Sequence, residues 1–73
     1  MRIYDSDGNP VESIYVALTD SEASELRDAA GALLGAREGF HGHVSDSDFQ
    51  TELTIFRADD PTVVARFAKP SSS

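Results

Sequence analysis

Apolar and polar residues alternate near the N-terminus, change to helical spacing in mid-chain, and alternate again in the last third. In "ESIYVAL", Ile14, Val16 and Leu18 share one parity and Ser13, Tyr15 and Ala17 the other, the period of a half-buried strand. Upstream, "RIYDSDGNP" gives a first strand carrying Ile3 and Tyr4, then a turn at Asp7-Gly8 where glycine supplies the positive φ of a tight hairpin turn. Pro10 has no amide hydrogen for a ladder and belongs at a strand start or edge. "DSDG" also begins like a calcium loop, but its glycine comes too early and no glutamate stands at the twelfth position.

"TDSEASELRDAAGALLGA" predicts a helix. Thr19 and Glu22 have the spacing of a capping box, and Asp20 and Glu22 suit the positive end of the helix dipole. Leu26, Ala29, Ala30, Leu33 and Leu34 form one apolar stripe, and Gly35 is a natural stop. Gly31 interrupts the helix at a cost of about 1 kcal/mol relative to alanine, as a close approach to a neighbour would require.

Downstream, "TELTIFR" sets Leu53 and Ile55 on one face, with Glu52, Thr54 and Phe56 on the other. "ADDP" reads as a turn. "TVVARFA" alternates Val63, Ala65 and Phe67 against Val64, Arg66 and Ala68, which predicts a last strand. The expected architecture is α+β, in ββαββ order: an antiparallel four-stranded sheet with one helix packed on one face. A single domain covers residues 1–68, and 69–73 form a disordered tail. The expected core is Ile3, Ile14, Val16, Leu18, Leu26, Leu33, Leu34, Leu53, Ile55, Val63 and Phe67, with Phe40, Val44 and Phe49 closing its end.

Composition narrows the function. The chain has 73 residues and no cysteine, so disulfides and thiolate metal sites are excluded. A core this small rarely yields more than about 3–5 kcal/mol, which leaves oligomerisation, a partner or a histidine/carboxylate metal site as reinforcement. A formal charge of −7 argues against phosphate-contacting nucleic-acid binding. Solubility accounts for the scattered acids, and an acidic inhibitor of a basic partner is the sharper reading. The N-terminus has no apolar signal core and no stretch is long enough to span a membrane, so the cytoplasm is the expected compartment.

One helix covers one side of a four-stranded sheet. Tyr4, Tyr15, Phe56 and Val64 fall on the other side, among Ser13, Glu52, Thr54 and Arg66. A contiguous aromatic face marks an interface, and a symmetric homodimer is the commonest use of one. The leading expectation is a non-enzymatic protein-interaction module that binds a protein, a second copy above all, through this helix-free face.

The alternative lies in "GFHGHVSDSDF". If the segment is extended, His41 and His43 point to one side, and an H-x-H pair chelates zinc or another imidazole-binding metal. Asp46 or Asp48 would complete or orient the site. The competing reading is a polar connector in which serine and aspartate satisfy backbone amides. No positioned nucleophile and base, phosphate loop or H-E-x-x-H motif points to an enzyme.

"VESIYVALTDSEASELRDAAGALL" followed by "HGHVSDSDFQTELTIF" resembles small acidic proteins of high-GC actinobacteria with no assigned activity. A single lysine, Lys69, beside plentiful arginine and alanine fits such a genome. The resemblance covers the middle two-thirds of the chain. It implies a stand-alone cytoplasmic domain and no substrate, cofactor or catalytic residue.

Overall fold

The computed structural model describes residues 1–46, 48 and 50–69. Its elements are β1 (Ile3–Tyr4), β2 (Pro10–Val11), α1 (Asp20–Leu33), β3 (His41–Ser45), β4 (Glu52–Phe56) and α2 (Pro61–Phe67). The strands form two separate two-stranded antiparallel sheets, β1 with β2 and β3 with β4. The expected single four-stranded sheet with one helix is therefore incorrect, and each of its errors has a local cause.

The first concerns "ESIYVAL". β2 pairs with β1 only through Ile3 opposite Val11 and Tyr4 opposite Pro10. β1 is this short because Asp5 turns the chain. Its carboxylate accepts from the amides of Asp7 and Asn9 at 2.9 Å, and its own amide donates to the Asn9 carbonyl at 2.9 Å. The connection is thus a five-residue loop, Asp5 to Asn9, and not a two-residue turn. Residues 13–18 continue beyond the sheet without regular structure, so the alternating segment has no strand partner among the described residues.

The second concerns "TVVARFA", which is α2. Asp60 is its N-cap, accepting from the amides of Thr62 at 3.1 Å and Val63 at 3.4 Å, with Pro61 in the first turn. Both residues are standard helix openers, because the capping carboxylate satisfies free amides and proline has no amide to leave unmet. The β-branched run Thr62-Val63-Val64 imitates a strand, but the cap determines the outcome.

The third concerns the histidine segment, which is strand β3 and not an irregular connector. His41, Gly42, His43, Val44 and Ser45 lie opposite Phe56, Ile55, Thr54, Leu53 and Glu52. Asp46 shapes the connection to β4: its amide donates to the Thr51 carbonyl at 3.1 Å, and its carboxylate accepts from the Gln50 amide at 2.9 Å.

α1 opens with the expected capping box, Thr19 and Glu22 each binding the other's amide. It packs on β3 and β4, with a close approach at Gly42, where a Cβ would stand 3.1 Å from the Cβ of Ala29. Gly31, by contrast, has nothing near it, so no close approach explains that glycine. The helix stops at Leu33. Leu34 is extended and exposed, with Gly35 beyond it at φ +71°.

Among the described residues only Val44 and Val63 are buried apolar side chains, at 4% and 2% exposure. Ile14, Val16, Leu18 and Leu34, expected in the core, lie at the surface, and Phe49 is outside the described residues. Asp60, 6% exposed, ties the halves together by also accepting from the Gly39 amide at 2.7 Å. At the far end of α2 the Lys69 amide donates to the Gly8 carbonyl at 2.8 Å; the rest of the expected tail, 70–73, lies outside the described residues.

Candidate functional site

Because side chains alternate across a strand, the β3–β4 ribbon has two unlike faces. Gly42, Val44, Leu53 and Ile55 share the face toward α1. His41, His43, Thr54 and Phe56 share the other, where an aromatic cluster forms. The Phe56 ring stacks on Tyr4 (centroids 6.4 Å apart) and on Phe67 of α2 (5.2 Å), and Phe67 meets the edge of His41 at 5.4 Å. The expected pairing of Tyr4 with Phe56 thus exists, but α2 shields it. Val64 lies half-buried on α2 and not on a sheet. Phe67 was expected in the core under α1 and instead serves this second face, a placement that depends on α2 being a helix.

The histidines are neighbours, their ring centroids 4.9 Å apart and their planes perpendicular. His41 Nδ1 lies 3.2 Å from the Gly39 carbonyl, to which it donates in the tautomer that carries its proton on Nδ1. His43 Nδ1 lies 3.0 Å from the Thr54 hydroxyl and 3.5 Å from Glu52 Oε1. Asp46 is engaged in the turn, and the Gln50 backbone amide, first among several donors, holds its carboxyl below the ordinary aspartate range. Asp48 also lies in that turn. Among the described residues no three histidine or carboxylate side chains come together as a metal site. The Nδ1 atom of each ring and the Asp46 carboxylate have partners within the protein.

Tyr15 does not join the aromatic cluster. It lies in the segment between β2 and α1, where Ile14, Tyr15, Val16 and Leu18 are 48%, 102%, 49% and 37% exposed. Among the described residues, nothing in the chain hydrogen-bonds to the backbone of Ser13 to Leu18. Isolated exposed apolar residues are ordinary, but here four fall within five consecutive positions, on backbone unpaired among the described residues. Tyr15 alone was expected at the surface; Ile14, Val16 and Leu18 were expected in the core.

Among the described residues no helix is long and apolar enough to cross a membrane. Compared with protein-family models, curated proteins and solved structures, the chain gives no match.

Proposed function

We propose that this protein is a non-catalytic protein-interaction module whose docking element is the segment Ser13 to Leu18. The observation that carries this reading is the exposure of Ile14, Tyr15, Val16 and Leu18 on a backbone without hydrogen-bond partners among the described residues. An extended segment of this kind binds by strand addition: its amides and carbonyls supply affinity, and its alternate side chains supply selectivity. The β-branched and aromatic residues fit that geometry, and the free energy of folding such a small chain leaves partner binding as a natural source of added stability.

The test compares the wild type with an Ile14→Ser, Val16→Ser double variant by size analysis, both purified and in an extract of the source cells. The wild type should exceed its 7.9 kDa chain mass in at least one setting, and the variant in neither. Because the altered side chains are half-exposed, the variant should keep its helical circular dichroism. A wild type that runs as a monomer in both settings refutes the reading.

A further inference from the structure

We propose that His41 and His43 hold a divalent transition-metal ion through their Nε2 atoms, at a site independent of Ser13–Leu18. Both rings stand on the same face of β3, two residues apart, with Phe56 and Thr54 opposite them on β4. Each ring is anchored through Nδ1. His41 Nδ1 meets the Gly39 carbonyl at 3.2 Å, and His43 Nδ1 meets the Thr54 hydroxyl at 3.0 Å, with Glu52 Oε1 at 3.5 Å. A metal-bound histidine characteristically donates its other N–H to a carbonyl, a carboxylate or another acceptor, which fixes the ring and raises its basicity. With the proton on Nδ1, Nε2 carries the lone pair that a metal ligand needs. Among the described residues, neither Nε2 has a hydrogen-bond partner.

The spacing of the rings suits one shared ion. An imidazole bound through Nε2 at about 2.0 Å puts its ring centroid about 3.1 Å from the metal. Two centroids 4.9 Å apart then subtend an angle of about 100° at the ion. That angle falls between the about 90° of a tetragonal copper(II) site and the about 109° of a tetrahedral zinc site. The Phe67 ring, 5.4 Å from that of His41, limits how far His41 can turn away. Asp46 is held in the turn by the Gln50 and Thr51 amides, at 2.9 and 3.4 Å, so the histidine pair supplies the protein's donors and water the remaining positions. Imidazole suits both metals, and at a given nitrogen site copper(II) binds more tightly than zinc. Glu52 behind His43, and a chain charge of −7, favour a cation here.

The test adds copper(II), in a weakly coordinating buffer, to the purified protein. Calorimetry should give one ion per chain, and pulsed electron paramagnetic resonance should count two imidazoles on it. Loss of an outer partner of a metal ligand costs about tenfold in affinity, so Thr54→Val, which keeps both histidines, should weaken copper binding about tenfold. His41→Asn and His43→Asn each remove a donor; they should leave one imidazole on the metal and weaken binding by more than Thr54→Val does. The three side chains are half-buried or exposed, so each variant should keep its helical circular dichroism. Fewer than two imidazoles on copper in the wild type overturns the inference without recourse to any variant. An affinity unchanged from wild type in any of the three folded variants overturns it as well.

Discussion

Asp60→Ala is the substitution whose cost follows most completely from the geometry. The carboxylate caps α2 through Oδ1, accepting from Thr62 and Val63, and holds Gly39 through Oδ2 at 2.7 Å. Loss of the cap costs about 1 kcal/mol. Loss of the charged hydrogen bond to the Gly39 amide costs about 1.5–3 kcal/mol. The combined loss is about 3 kcal/mol, against a total stability of about 3–5 kcal/mol for a domain of this size. With a urea slope of about 1 kcal/mol per molar, the midpoint should fall by about 3 M. Asp60→Asn separates the two terms. It retains the capping oxygen, but its NH₂ cannot accept from Gly39, so about 1 kcal/mol, roughly a third of the loss, should return. Urea titration followed by circular dichroism, at fixed protein concentration, measures both. If Asp60→Ala unfolds within about 0.5 kcal/mol of wild type, Asp60 does not join the two halves of the fold.

Gly31→Ala should stabilise the protein by about 0.5–1 kcal/mol, because the position is helical and nothing lies within 4 Å; thermal melting should rise by several degrees. Gly8→Ala should do the opposite and cost at least about 2 kcal/mol. Gly8 has φ +84°, and an added Cβ would stand 2.6 Å from the Lys69 amide nitrogen. Thermal melting should then fall by about 10 °C. The Asn9 amide on Asp5, the Gln50 amide on Asp46 and the Arg57 side chain on Asp59 hold these carboxyls below the ordinary value of 3.8. A lowered folded value means that their stabilisation is complete above the unfolded value and is lost as the pH falls through the folded ones. Unfolding midpoints should therefore be flat from pH 7 to about 5 and decline below about 4; Asp5→Asn should flatten part of that decline.

The sequence revealed the elements whose signals are local. The Thr19–Glu22 box and the Leu26–Leu33 stripe defined α1 because both lie within one stretch of chain. The strand in "TELTIF" was legible for the same reason. What failed was pairing. "ESIYVAL" alternates like a sheet strand, but alternation records side-chain parity and carries no information about a partner. Asp60-Pro61 was read as a breaker although the same two residues open a helix, and that reading cost α2. Without α2, Phe67 fell on the wrong side and Tyr4 and Phe56 were left uncovered. His41 and His43 share one side because their segment is strand β3, a condition that the sequence reading stated but set aside for an irregular connector. Their hydrogen bonds to Gly39 and Thr54 depend on a hairpin that the sequence did not disclose.

The central claim is that Ser13 to Leu18 docks a protein by strand addition. Amide hydrogen exchange, of the purified protein over a concentration series and of the protein in an extract of the source cells, tests it most directly, because it reads the backbone itself. Alternate amides between Ser13 and Leu18 should exchange freely in dilute purified protein and become protected at high concentration or in the extract, while those of α1 change far less. Exchange at the unprotected rate throughout the segment in both settings would contradict it.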